Sequence, residues 1–77
     1  MTMNTAALIP AYNEAATIAD VVRGVRPFVS QVLVVDDGSI DGTAGQARTA
    51  GARVVVHATN LGKGHAVRTG LSHLLGG

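Results

Sequence analysis

The sequence predicts an α/β domain with a parallel sheet, a Rossmann-like βαβαβα unit in three layers. Three short apolar runs carry the prediction: Ala6-Ala7-Leu8-Ile9, Val32-Leu33-Val34-Val35 and Val54-Val55-Val56. None alternates apolar with polar residues, which is how strands covered on both faces read. The stretches between them repeat apolar residues at helical spacing, and strands alternating with helices imply parallel pairing with right-handed crossovers.

Each element has its own local reason. The second and third runs are rich in β-branched residues, and all three close on polar or Gly/Pro punctuation. After the first run, Ile18, Val21, Val22 and Val25 fall at i, i+3, i+4 and i+7, predicting a helix with Asn13 as N-cap and Pro27 as its stop. After the second, Asp41-Gly42-Thr43 opens a short helix through Ala44, Ala47 and Ala50, with Gly51 as a left-handed cap and Gly45 as an internal weakness. After the third, Ala66, Val67, Gly70, Leu71 and Leu74 mark one face of a helix ending at Gly76-Gly77.

Composition narrows the class. A chain of 77 residues has room for one domain at most. Hydrophobic residues make up 47% and charged residues 14%, which excludes a polar disordered chain, and the apolar runs are too short to span a membrane. With no cysteine there is no disulfide framework and no thiolate metal site. A net charge of +1 does not advertise nucleic acid or anionic membrane as a partner. Residues 1–5 lack the basic start and apolar core of a signal peptide, so a cytoplasmic chain is expected. A three-stranded sheet leaves its first strand as an unpaired edge, an aggregation hazard. Residues 1–77 are therefore expected to form a single partial domain, the opening half of a longer one, prone to self-association through that edge.

Ligands of open α/β sheets bind beyond the carboxyl ends of the strands. The segments expected there are Pro10-Ala11-Tyr12-Asn13-Glu14, then residues 36–43, then Asn60-Leu61-Gly62-Lys63-Gly64; they hold the only Tyr, the only Lys and four of the five carboxylates. Tyr12 offers a ring on which a nucleobase can stack, and Asn13 and Glu14 offer caps or acceptors for hydroxyls. Asp36-Asp37 suits either a cation or hydrogen bonding to a base imide or ribose hydroxyl, with Gly38 and Gly42 allowing close backbone approach. Ordinary turn chemistry accounts for Asp41 and Thr43 but not for the Asp pair. Lys63 stands between two glycines at a helix start, where backbone N–H groups favour an anion such as a diphosphate. Neither a Walker A loop nor a Gly-x-Gly-x-x-Gly is present. His57 ends a strand, and no carboxylate completes a metal spacing with His65 or His73, which read as structural or exposed.

With these segments assembled, the chain resembles the N-terminal part of family 2 glycosyltransferases, inverting enzymes of GT-A fold that use nucleotide-diphosphate sugars. The carrying motifs are Ile9-Pro10-Ala11-Tyr12-Asn13-Glu14, Val34-Val35-Asp36-Asp37-Gly38-Ser39 with Asp41-Gly42-Thr43, and Asn60-Leu61-Gly62-Lys63-Gly64. The last, followed by Ala66, Arg68 and Gly70, is most similar to the dolichyl- and polyprenyl-phosphate sugar synthases. The resemblance implies a UDP- or GDP-sugar donor, a lipid-phosphate acceptor and, for a full-length enzyme, a place at the inner face of the membrane. It implies that Tyr12, Pro10 and Ala11 line the base pocket, that Glu14 lies near the nucleoside, that Asp37 bonds the base while Asp36 supports the loop, and that Lys63 sits near the nucleotide. The family holds Mg²⁺ or Mn²⁺ on the diphosphate with an Asp-x-Asp after the third helix, and uses a later acidic base. Neither motif occurs in this sequence, and Asp36-Asp37 comes one strand-and-helix unit too early to be that pair. No catalytic or metal-ligating residue is assigned.

Two other classes compete. A response-regulator receiver domain also has an acidic pair at a strand end, but after its first strand, and a phosphorylated Asp ends its third; here the pair follows the second run and the third ends at His57. A non-catalytic nucleotide-binding or interaction module fits the same motifs as the enzyme half does.

Overall fold

The computed structural model describes residues 4–76. Strands β1 (Ala6–Ala11), β2 (Gln31–Asp36) and β3 (Arg53–Val56) alternate with helices α1 (Ile18–Val25), α2 (Thr43–Thr49) and α3 (Lys63–Gly76), and a 3₁₀ turn at Arg26–Phe28 follows α1. The strands pair in the order β1-β2-β3, both pairs parallel, with Leu8 opposite Leu33 and Val35 opposite Val55. The α/β class predicted from the sequence is the one found.

β2 is central, and the run Val32-Leu33-Val34-Val35 is buried because helices cover both faces. Side chains alternate across a strand. Val32 and Val34 therefore join Ile18 and Val22 of α1 and Ala47 of α2, while Leu33 and Val35 join Ala66 of α3. Full burial of one such Val or Leu contributes about 1.5–3 kcal/mol, so β2 is the principal apolar support of the sheet. β1 lies at one edge of the three strands and β3 at the other.

Three local expectations need correction. Asn13 is not the N-cap of α1: the helix begins at Ile18, and Asn13 stands at φ +52° with its polar groups committed elsewhere. The chain instead turns on the Glu14 carbonyl, which accepts from the N–H groups of Thr17 and Ile18 at 3.0 and 2.8 Å. Pro27 does not directly end α1, which stops at Val25; it sits inside the 3₁₀ turn. Leu71 is not part of the core face of α3 and is 46% exposed. Small Ala66 and Gly70 are the buried residues of that helix, so its contact stripe is narrow.

Glycines in α2 and α3 have opposite consequences. A Cβ on Gly70 would lie 2.1 Å from Leu8 Cδ1, whereas a Cβ on Gly45 would meet nothing within 4 Å among the described residues. Gly70→Ala is expected to destabilise the chain by about 1–2 kcal/mol, the clash outweighing the gain in helix propensity. Gly45→Ala should stabilise it by about 0.5–1 kcal/mol. Urea denaturation midpoints moving in opposite directions are the check; a stabilising Gly70→Ala would show that α3 does not need its close approach to β1.

Candidate functional site

The segments following β1, β2 and β3 converge at the carboxyl end of the sheet because parallel strands all deliver their loops to one edge. Two backbone bonds extend the ladder past the strands: Asp37 N–H donates to the Ala11 carbonyl at 2.8 Å, and His57 N–H to the Asp36 carbonyl at 2.9 Å. These place Asp37 and His57 side by side immediately outside the sheet.

The first two segments are tied together side chain to backbone. Asn13 N–H donates to Ser39 Oγ at 2.8 Å, and Asn13 Oδ1 accepts from Ile40 N–H at 3.0 Å. Glu14 N–H donates to Thr43 Oγ1 at 2.9 Å, and Ala15 N–H to Asp41 Oδ2 at 3.2 Å. The Thr43 hydroxyl, accepting from Glu14, donates onward to Asp41 Oδ1, which also takes the Thr43 N–H at 3.0 Å. Led by the Thr43 hydroxyl, these bonds hold the Asp41 carboxyl below its ordinary value against the opposing effect of desolvation.

Asp37 ties the second segment to the third. Its Oδ1 accepts from the Leu61 N–H at 2.9 Å and its Oδ2 from the Gly62 N–H at 2.8 Å. His57 Nδ1 lies 2.8 Å from Oδ1 and, because a carboxylate can only accept, carries the proton. His57 Nε2 reaches Thr69 Oγ1 on α3 at 2.8 Å. The His57 hydrogen bond, followed by the one from Leu61, lowers the Asp37 carboxyl below the usual range. Gly38 makes this junction feasible: it stands at φ +79°, and the backbone of Thr59 and Asn60 occupies the space a Cβ would need.

Between the segments lies a cleft of about 190 Å³, lined by Pro10, Ala11, Tyr12, Glu14, Asp37 and Lys63, with Asn60, Gly62 and Ala66 completing its walls. Tyr12 is 47% exposed, and Lys63 is the first residue of α3. The structure thus brings together six of the seven residues singled out from the sequence. The seventh, Asp36, is buried away from the cleft, and its Oδ1 accepts from the Ser39 N–H at 3.0 Å. The site also contains His57, which the sequence motifs do not include. Its partners stand 20 residues before and 12 after it, so no local motif marks it; its position directly after an apolar strand was the one available signal. His65 sets its ring edge-on to His57 with centroids 5.4 Å apart, and His73 is exposed.

Residues 6–76 match the model of glycosyl transferase family 2. The chain belongs to this family. As a family 2 glycosyltransferase it is 55% identical over 62 residues to glycosyltransferase AglJ of Haloferax volcanii, a match covering 79% of this chain and 20% of AglJ. It is 41% identical over 68 residues to protein RfbJ of Shigella flexneri, covering 84% of this chain and 51% of RfbJ. The crystal structure of glucosyl-3-phosphoglycerate synthase from Mycobacterium tuberculosis with Mn²⁺, UDP and glucosyl-3-phosphoglycerate superposes with a TM-score of 0.81 at 33% identity, covering 91% of this chain and 29% of that one. The family 2 chain thus spans between about a fifth and a half of the length of these two curated relatives.

The mycobacterial complex holds Mn²⁺, but the adjacent carboxylates of this chain do not fit a metal ion. Asp37 is occupied by two backbone N–H groups and His57, and Asp36 by Ser39. Among the described residues, no three His, Cys, Asp or Glu side chains are grouped to hold one. Also among them, no helix is long and apolar enough to cross a membrane.

Proposed function

We propose that this chain is the nucleotide-binding half of an inverting glycosyltransferase and that its cleft receives the nucleoside diphosphate of a UDP-sugar. The observation that carries the reading is the convergence of a half-exposed aromatic ring, a carboxylate and a lysine on one cleft at the carboxyl edge of a parallel sheet. Tyr12 stacks on the base, Asp37 accepts a hydrogen bond from it, and Glu14 faces the ribose hydroxyls. Lys63, with the first-turn N–H groups of α3, faces the diphosphate. UDP in the mycobacterial neighbour supports the choice of donor.

In the reaction of the whole enzyme, an acceptor oxygen bonds to the anomeric carbon as the bond from that carbon to the diphosphate oxygen breaks. The residues of this chain hold the donor and neutralise part of the leaving charge. The acceptor bears a phosphate, as the glucosyl-3-phosphoglycerate bound by the neighbour does and as a polyprenyl phosphate would.

A proton–nitrogen correlation NMR titration of the 77-residue chain with UDP tests the reading. Shifts should concentrate at Tyr12, Asp37 and Lys63, and Lys63→Ala should weaken binding about tenfold, the loss of one charge-assisted contact. Shifts spread evenly over the surface, or none, would sink it.

A further inference from the structure

We infer that His57 sets the base preference of the cleft toward uracil over guanine, by filling the Asp37 oxygen that guanine needs. The inference rests on the cleft being a nucleoside diphosphate site. A carboxylate has two oxygens with two acceptor positions each. On Asp37, Oδ1 takes both the His57 Nδ1–H at 2.8 Å and the Leu61 N–H at 2.9 Å, which fills it. Among the described residues, Oδ2 takes only the Gly62 N–H, at 2.8 Å. Asp37 lines the cleft with its side chain 5% exposed, so a ligand meets one remaining acceptor position there.

The two bases present different edges to that position. Uracil offers a single imide N–H, which one acceptor satisfies. Guanine offers a ring N–H and an amino N–H side by side, an edge that a carboxylate matches only with both oxygens. With Oδ1 filled, guanine leaves one donor unpaired and desolvated, and a site that strands a polar group discriminates strongly.

The rest of the His57 environment keeps the ring in this role. Its Nε2 is bonded to Thr69 Oγ1 at 2.8 Å, the His65 ring abuts it, and its side chain is 9% exposed. His57 is not among the residues lining the cleft and acts through Asp37, so it is a positioning residue.

Isothermal titration of the 77-residue chain with UDP and with GDP tests this. The unsubstituted chain should bind UDP about tenfold more tightly than GDP, the difference made by one unpaired donor. His57→Ala removes the donor together with the ring that covers Oδ1, and should bring the two affinities within about twofold; His57→Asn, which retains a side-chain N–H donor, should restore the preference. Dispersed NMR spectra establish that each variant is folded, and the ratio for the unsubstituted chain decides even where a variant is not. Equal affinity for UDP and GDP in that chain, or an undiminished preference in folded His57→Ala, overturns the inference and leaves the cleft reading standing. A chain that binds neither nucleotide overturns both.

Discussion

Gly38→Ala is expected to lower the stability of the chain by about 2–5 kcal/mol and to abolish nucleotide binding, because two independent penalties meet at one residue. Gly38 stands at φ +79°, a region that costs a residue with a Cβ about 1–2 kcal/mol. A Cβ there would also lie 2.5 Å from both Asn60 N and the Thr59 carbonyl carbon, and backbone atoms cannot rotate away as the end of a side chain can. Relieving the clash pushes the third segment outward and stretches the bonds from Leu61 and Gly62 to Asp37. Gly62→Ala is the control. Gly62 has φ +100°, but among the described residues nothing lies within 4 Å of where its Cβ would be, so only the conformational cost of about 1–2 kcal/mol applies. Urea denaturation and a UDP titration of both variants provide the measurement. Equal losses in the two would mean that the packing of Gly38 against residues 59 and 60 does not matter.

Asp37→Asn should be less stable at neutral pH, bind UDP at least about tenfold more weakly, and show a shallower loss of stability in acid than the unsubstituted chain. An amide has one acceptor oxygen where Asp37 uses two, so its NH₂ must face a backbone N–H or the His57 Nδ1–H, donor against donor. The acid behaviour follows from proton binding. A carboxyl whose pKa is lowered by folding binds fewer protons when folded. Its stabilisation is therefore complete above the unfolded value of about 3.9 and is lost as the pH falls through the lower folded value. Asp37 and Asp41 are both lowered, so the unsubstituted chain should lose stability through both below about pH 4. In Asp37→Asn only the Asp41 part remains. Thermal melts between neutral pH and about pH 2.5 separate these contributions. Parallel acid limbs in the two proteins would show that Asp37 does not gain its charge stabilisation on folding.

The legible parts of the fold were those set by short-range chemistry. The apolar runs announced β1, β2 and β3; the reason, that a strand covered on both faces needs every side chain apolar, holds in full for central β2, while Val56 of edge strand β3 is half-exposed, and Gly51 at φ +107° follows α2 as its sequence position implied. The convergence of Tyr12, Asp37 and Lys63 was legible too, since parallel strands fix which loops share an edge. What the sequence could not show was where polar groups find partners across the chain. Asn13 looks like a helix cap by every local criterion, yet Ser39 and Ile40 claim it from 26 and 27 residues away. Asp37 likewise reads as a free carboxylate until the fold brings Leu61, Gly62 and His57 around it. Leu71 failed for a different reason: spacing gives the face of a helix but not how wide a stripe its neighbours cover.

The cross-ties among the three segments govern how this site can be altered by recombination. A loop taken from a relative and grafted after β1 alone would have to present its backbone N–H groups to Ser39, Thr43 and Asp41, which it did not bring with it. A loop grafted after β3 alone would likewise have to present its N–H groups to an Asp37 that it did not bring with it. The apolar side chains of the strands beneath contribute support rather than bonds to the loops, and the ties from strand to loop come from the last residues of β1 and β2, Ala11 and Asp36. The three segments therefore act as one unit, and chimeras that transplant all of them onto a related sheet should retain the cleft where single-loop chimeras lose it.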